Sequence, residues 1–515
     1  VGVVTYYGDA SNLTGVGMSV FPYTYSPANG ATSQAVTTNI VTTWSSFIEA
    51  GSGTITIRSG SASGTIVDQF VVGSSSSITI AGNELTLNPA ISLDNGTDYF
   101  VTYPAGSIKS LGGQLENHQL ITSFTTVAIN MWAWGYNTYG ELALNDRVSR
   151  SSPVQLPGSN WGYISSLQIT ATLGTKTDGT LWGWGISGYG RLGLNEGPGP
   201  SGGTYKSSPT QIPGTNWSTS DKHLMCEAFS SSAIKTDGTL WVMGAGLYGS
   251  LGLNSTATYY SSPVQVGTDT TWSDISGSTS HAGRGIKTDG TLWTWGQNDD
   301  YGQLTGALGL NDIINRSSPT QVPGTNWKEC ISTPTNTYAI KTDGTLWSWG
   351  MNQAGQLGLN QSWSLGGGNY LRVSSPAQVG TDTTWDTLPK GNRNSTYFIG
   401  ATKTDGTLWV WGRNDYGQID GGLPTSPGAN VHRSSPIQIP GTTWSEVRML
   451  RYGFQASKTD GTLWSWGYQS ASGAGKLGQN STINISSPVQ IPGTNWIDSP
   501  LMGGTNTSVF VKREG

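Results

Sequence analysis

Lys341 to Gly350 reads KTDGTLWSWG, and it describes a β-hairpin in ten residues. A strand ends at Lys341, Asp343-Gly344 turns the chain, and Thr345 to Trp349 alternates outward again. Asp-Gly predicts a tight primed turn, because Gly accepts the positive φ such turns need. Trp347 and Trp349, two residues apart, share one face of the outgoing strand.

The motif recurs. KTDGTL begins at Lys176, Lys235, Lys287, Lys341, Lys403 and Lys458, and a Trp follows each Lys by six residues. A further Trp-x-Trp-Gly at Trp132 to Gly135 has no KTDG before it. SSPxQ starts at Ser151, Ser207, Ser261, Ser317, Ser374, Ser434 and Ser486, with another Trp ten or eleven residues on. Trp132 and Trp464 lie 332 residues apart over six intervals, a mean period of about 55. Such a repeat predicts stacked supersecondary units.

The missing hairpin half stands at the other end of the chain. Ser508 to Gly515 (SVFVKREG) reads as a strand that stops at its turn, and Met131 to Trp134 is its partner. A unit assembled from both ends leaves no open edge. The expectation is all-β: a seven-bladed β-propeller over residues 128–515, closed by pairing of N- and C-terminal strands, behind an N-terminal Ig-like β-sandwich.

LWSWGMNQAGQLGLN (Leu346 to Asn360) followed by SSPAQV (Ser374 to Val379) resembles the regulator of chromosome condensation repeat in its bacterial and phage form. The resemblance covers about residues 128–515 and implies the propeller. The family's best-known member exchanges nucleotide on a small GTPase and docks on nucleosomes. The Gly-x-x-His element of eukaryotic copies survives only as a loose echo at Gly277 to His281, so the resemblance does not carry that activity over.

Residues 23–127 divide into short strand candidates separated by Gly, Asn and Ser turns: 40–48, 54–58, 65–72, 77–87, 99–103 and 120–126. That spacing predicts a sandwich. SPANGATSQAVTTNIVTTWS and LTLNPAISLDNGTDYFVTYPAGSIKSLGG resemble a bacterial Ig-like domain of surface-layer and adhesin proteins, which implies a spacer. Residues 1–22 read as a Gly-rich connector. VTYYGDASNLTG within it resembles segments of tail-fibre-like and other virion proteins of marine cyanobacterial phages.

Composition bounds the chemistry. Charged residues are 11% of 515, with 26 basic against 31 acidic, and no basic run tracks a phosphate backbone, which argues against nucleic acid as a partner. No apolar run reaches the length of a membrane span. Cys226 and Cys330 fall at different offsets after their Trp, which favours buried thiols over a disulfide.

Spacing separates scaffold from variable surface. From the Gly of Trp-x-Trp-Gly to SSP the interval runs from 16 to 24 residues. The insertions read as 196–206, 256–260, 305–308, 361–373 and 420–433, all in one segment of the repeat, so they emerge on one face. Loops on a rigid scaffold are where function concentrates. The ligand or partner candidates there are Tyr205, Tyr259, Tyr260, Trp363, Tyr370, Arg372 and Arg433, since aromatic faces beside Arg suit glycan or protein surfaces.

The search for catalysis yields no catalytic residue, no metal site and no cofactor. His118, His223, His281 and His432 occupy unrelated repeat positions without an acidic or thiol partner at metal spacing. The KTDG aspartates read as turn residues, the Lys as solvated or aromatic-packed, and the repeated Trp as core. The expected function is a non-enzymatic virion or extracellular-surface protein: a tail-fibre, appendage or decoration component. Its partners would be neighbouring virion subunits, or a host-surface glycan or protein, with homo-oligomerisation left open. The alternative is a bacterial cell-surface or secreted adhesin of the same architecture. More remote is a lyase or hydrolase, which needs carboxylates facing the propeller's channel.

Overall fold

In the computed structural model the described residues are 21–34, 38–90, 93, 96–111, 119–126, 128–158, 160–167, 171–196, 204–256, 258–277, 281–300, 303–361, 371–391, 397–415, 417–419, 432–450, 452–468, 477–481, 483–494, 496 and 507–514. The chain is all-β and divides into two compact units, residues 1–129 (with 514–515) and 130–513.

The first unit is a sandwich. Pro22–Ser26, Ile40–Trp44, Glu84–Leu87 and Ile78–Ala81 form one sheet in that order. Ala31–Gln34, Leu120–Thr126, Asp98–Tyr103, Thr54–Ser59 and Thr65–Val71 form the other. Alternation decides what is buried: in Ile40–Trp44 every second side chain is in the core. Trp44, Ile55, Ile57, Leu85, Tyr99 and Phe124 fill the space between the sheets. Thr42 and the Tyr103 hydroxyl meet there at 2.8 Å, so both polar groups are satisfied. Two strand expectations need correction. The 77–87 stretch is a hairpin, turned at Ala81–Glu84, where Gly82 takes φ 65°, and 40–48 breaks after Trp44. In each case a turn of two or three residues is hidden inside an apolar run.

In the second unit each KTDG motif lies at the centre of a four-stranded antiparallel meander. The Lys341 unit runs Trp327–Ser332, Asn336–Lys341, Leu346–Met351 and Arg372–Gln378 in spatial order. The Lys176, Lys235, Lys287, Lys403 and Lys458 units repeat that order, the last with a short parallel strand, Lys390–Gly391, added beside its first. A further sheet holds three strands in the order Arg150–Gln155, Ala128–Gly135, Thr507–Glu514, so strands from both ends of the repeat region share it. SSP supplies the fourth, edge strand of each meander, where a Pro without an N–H does no harm.

The KTDG turn differs from the expected primed turn. Gly344 has φ +77°, while Asp343 is absent from the positive-φ residues. Gly344 N donates to Lys341 O at 2.9 Å, and Lys341 N to Thr345 O at 3.0 Å. This is a three-residue loop with a left-handed Gly at its end, and the extra residue removes the need for positive φ at Asp. Asp343 has another task. Its Oδ1 accepts Thr345 N at 3.0 Å and Thr345 Oγ1 at 2.6 Å, while the Trp347 indole donates to Thr345 Oγ1 at 2.9 Å. Lys341 Nζ sits 4.8 Å from the Trp327 ring centre and 4.5 Å from that of Trp347, a cation held between two aromatic faces.

Successive units are joined by a latch in the loop after the third strand. The indole N–H of Trp184, Trp295, Trp349, Trp411 and Trp466 donates to a backbone oxygen of the preceding unit's loop, at Glu141, Ser250, Ala307, Gln356 and Gln418, over 2.8 to 3.0 Å. Beside it the loop packs backbone to backbone: a Cβ on Gly355 would lie 2.6 Å from Ser434 Cα of the next unit. Five residues on, Asn360 takes φ 54°, donates its N–H to Ser434 O at 2.9 Å and accepts the Ser435 hydroxyl at 3.1 Å. The insertion expected at 305–308 is part of this latch, since Ala307 is the indole acceptor and Gly306 the close-packed residue. The extra residues precede it, as the small ladder Asp299–Asp300 with Gln303–Leu304.

The two ends of the repeat region use the same elements. The Ser151 hydroxyl donates to Asn480 Oδ1 at 3.4 Å. A Cβ on Gly478 would lie 3.0 Å from Trp134 Nε1. The Trp134 and Trp496 rings meet edge to face at 6.1 Å.

One latch carries a titrating group. Glu141 stands where other loops have Gln356 and Gln418, and it is fully buried. Its Oε2 accepts Tyr139 N at 2.9 Å, as Gln356 Oε1 accepts Ala354 N, while its Oε1 has no partner. At the matching place Gln418 donates Nε2 to Arg413 O at 2.9 Å, a bond that only a protonated Glu141 could copy. Burial pushes the carboxyl up from 4.5 to about 7. The folded chain then binds a proton that the unfolded chain has released, so stability falls as pH rises from about 4.5 to 7. Glu141→Gln is expected to remove that fall, stabilising the protein by about 3 kcal/mol at pH 8 and changing little at pH 4. Urea unfolding at the two pH values measures it. Deleting residues 507–515 strips one strand from the three-stranded sheet and exposes Ala128–Gly135 as an edge. The expected cost is about 3 kcal/mol or more, read as a lower calorimetric melting temperature than that of the full chain.

Candidate functional site

A four-stranded meander sends its connections alternately to two ends. The KTDG turns and the Pro-Gly-Thr connections to the next unit lie at one end. The first-to-second and third-to-fourth strand connections lie at the other. Of the expected insertions, residues 197–203, 257, 362–370 and 420–431 lie outside the described residues.

The candidate residues start the fourth strands at this end. Tyr205, Tyr259 and Arg372 hold one repeat position, opposite Ile186, Ala245 and Met351. Tyr260 and Arg433 hold the next, opposite Gly244 and Gly412. They are therefore distributed from unit to unit, not gathered at one point. Tyr205 is 48% exposed and stacks on Tyr139 at 5.5 Å, with the Arg147 guanidinium 5.0 Å over its ring. Tyr260 is partly buried and packs against a core cluster drawn from the Lys176, Lys235 and Lys287 units. Trp363 and Tyr370 lie outside the described residues.

Tyr259 leads to a group that the sequence reading missed. It stacks on Tyr189 at 6.0 Å; Tyr189 meets Phe229 edge to face at 5.2 Å. Phe229 stacks on His281 at 4.7 Å, and His281 meets Tyr248 at 5.6 Å. These five rings run across three consecutive units. Phe229 and His281 occupy one repeat position with Thr335, Tyr397 and Tyr452. The backbone oxygen of each accepts an N–H at the end of the third strand, from Ala245, Gln297, Met351, Arg413 and Tyr468, at 2.7 to 3.0 Å. The sequence signal exists: each stands six residues before a KTDG Lys.

Tyr189, Tyr248 and His281 have φ of 63°, 57° and 55°. Left-handed backbone costs a bulky residue on the order of 1 kcal/mol or more, and elsewhere in the repeats most such positions belong to Gly and Asn. Arg191 braces the ladder from below: its Nε donates to Gly188 O at 2.9 Å and its Nη1 to Ala228 O of the next unit. Burial pushes His281 down from 6.5 to about 4, so it is a neutral ring near pH 7.

Other acid–base groups are committed to structure. Asp274, Glu329 and Glu446 hold matching places on first strands. Glu329 Oε2 accepts Leu388 N of the next unit at 3.3 Å, and Glu446 pairs with Arg448 at 3.2 Å. His432, expected to lack an acidic partner at metal-ligand spacing, has Nδ1 3.9 Å from Asp415 Oδ1, and Asp415 in turn pairs with Arg413. The contact joins residues seventeen apart in sequence, which a search for metal-ligand spacing passes over. Among the described residues no three His, Cys, Asp or Glu are placed to hold a metal ion. Cys226 and Cys330 are buried free thiols. Among the described residues no helix is long and apolar enough to cross a membrane.

Comparison with known proteins agrees with this architecture. Residues 23–126 match the bacterial Ig-like domain and residues 343–386 the Regulator of chromosome condensation (RCC1) repeat. The RCC1 domain-containing protein RUG3, mitochondrial, of Arabidopsis thaliana is 28% identical over 279 residues, 52% of this chain and 57% of its own. The human E3 ubiquitin-protein ligase HERC2 is 27% identical over 207 residues, 39% of this chain and 4% of its own. The chain thus spans little more than half of the first relative and a small part of the second. The crystal structure of Prp20p from Saccharomyces cerevisiae, described with its binding properties to Gsp1p and histones, superposes with a TM-score of 0.62 at 17% identity, covering 76% of this chain and 93% of that one. Human WBSCR16 superposes at 0.60 and 17%, covering 75% and 99%. These likenesses establish an RCC1-type propeller fold behind an Ig-like domain.

The buried neutral His281 sets an acid-side slope. The unfolded chain takes up a proton near pH 6.5 and the folded chain only near 4, so stability declines as pH falls between those values. His281→Phe is expected to flatten that decline. Denaturant titration from pH 4 to 7 should then show a shallower fall toward acid than in the parent, because His223 and His432, whose pKa values burial also lowers, keep part of it against the opposite slope set by Glu141.

Proposed function

We propose that residues 128–515 close into a ring of seven units, with Thr507–Glu514 completing the sheet of Ala128–Gly135. In this reading the chain is a non-enzymatic recognition or assembly component of a virion surface, a tail-fibre, appendage or decoration protein. The insertion-bearing end of the propeller meets a host-surface glycan or a neighbouring subunit, and the Ig-like domain is its spacer. The observation that carries this is the division of labour between the two ends. One repeats the Lys, Asp, Thr and Trp turn six times. The other holds the third-to-fourth strand connections, where the expected insertions fall, and the partly exposed aromatic rings. A rigid ring with variation at one end suits recognition.

The Ser151 to Asn480 bond and the Trp134 contacts with Trp496 and Gly478 support closure. The virion setting rests on the resemblance read in VTYYGDASNLTG alone, and the match of residues 23–126 to a bacterial Ig-like domain favours the second reading, a bacterial surface or secreted adhesin. The use of Glu329 and Glu446 in structural contacts weighs against a channel enzyme.

Cryo-electron microscopy of the particle or cell surface bearing the protein tests the proposal. A distal position with the insertion loops free is the outcome expected for receptor binding, and symmetric contacts with other subunits is that expected for assembly. Absence from any such surface would overturn both.

A further inference from the structure

We infer that the ring ladder Tyr259, Tyr189, Phe229, His281 and Tyr248 is a binding subsite for a neutral saccharide ring. The inference rests on the recognition reading above and names its ligand. Four observations lead to it.

The ladder breaks the symmetry of the repeats. In the Lys341 unit the positions of Phe229 and Tyr248 hold Thr335 and Ala354, and the fold of that unit is the same. The rings are therefore not demanded by the scaffold. The ladder also stands against local conformational preference. Tyr189, Tyr248 and His281 keep left-handed backbone that Gly would accept without strain, and Tyr139, at the matching place one unit earlier, is not in that region. Strain held at one place among equivalent ones points from the observed outlier toward function.

The ladder offers an anion no free donor. His281 is an uncharged ring near pH 7. The Arg191 guanidinium lies 5.7 Å from the Tyr189 ring centre, but it is buried and donates to the Gly188 and Ala228 carbonyls, so its charge is felt through the ring and not by direct pairing with a phosphate or uronate. Finally, the surface is amphipathic. Tyr248 is 47% exposed, and the other rings are half-buried, so the ladder is recessed and shows ring faces and edges beside phenolic hydroxyls. A pyranose has the complementary make-up, an apolar C–H face inside a rim of hydroxyls. A protein partner would instead call for a protruding apolar anchor or a deep apolar pocket.

The test uses the full chain on an array of neutral oligosaccharides (glucans, mannans, galactans and N-acetylglucosamine oligomers) with uronate and sulfated analogues beside them. The expected result is retention on at least one neutral saccharide. Tyr248→Gly should weaken it at least tenfold without lowering the melting temperature, because Gly fits the left-handed backbone and the fold loses no buried ring. Phe229→Leu should weaken it as well, while Tyr23→Ala, at an exposed position of the Ig-like unit, should leave it unchanged. Equal retention by Tyr248→Gly overturns the subsite. If Tyr205→Ala abolishes retention and Tyr248→Gly does not, recognition stands and this ladder falls. Retention only on acidic saccharides, or on none, overturns the neutral-saccharide assignment, and the particle location then decides the recognition reading by itself.

Discussion

The hydrogen bond from a tryptophan indole to the backbone of the preceding unit is the interaction on which the repeat array depends. It is buried, and a buried donor left unmet costs about 1 to 3 kcal/mol. The indole can reach its acceptor only because the loop comes within backbone contact of the next unit, which a Gly without Cβ permits. Each unit is thereby fixed to its neighbour, and stability is transmitted from one junction to the next. The junction between the Lys176 and Lys235 units tests this logic, since Met243 replaces the tryptophan there. Its loop carries Arg191 at the acceptor position, and the guanidinium donates forward to Ala228 O. The donor has moved to the other side of the junction, and the cross-junction bond is kept.

At the opposite end the same residues solve a different problem. A Lys between two indoles, with Asp and Thr holding one indole N–H, closes each second hairpin without burying an unpaired charge. Where the Trp is preceded by Asp-Thr-Thr, as at Asp269 and Asp382, the Lys gains a carboxylate too. This end is uniform because its chemistry is complete in each of the six KTDG units. The insertion-bearing end is left to differ, and there the side chains depart from local preference.

Much of this was legible in the chain. The six KTDG motifs and seven SSPxQ motifs gave the meander, its period and the partnership of the two ends, because those features depend on residues a few positions apart. The turn type at Asp343 differs from the one Asp-Gly predicts, because the number of loop residues depends on cross-strand hydrogen bonding. The segment 305–308 reads as an insertion in the sequence because length alone does not tell latch from excess. That Tyr260 packs against a core cluster is a matter of burial, which one residue type at a strand start does not reveal.

The sequence by itself determined the repeat, the strand order within a unit and which connections share an end, since alternation and turn chemistry are local. Only the tertiary structure decided which rings touch. Tyr189 and Tyr259 are seventy residues apart, Phe229 and His281 fifty-two, and their stacking arises because consecutive units bring matching loops side by side. Burial likewise decided the charge of Glu141 and His281: a pKa is set by what surrounds the group, and for these two the surroundings come from neighbouring units.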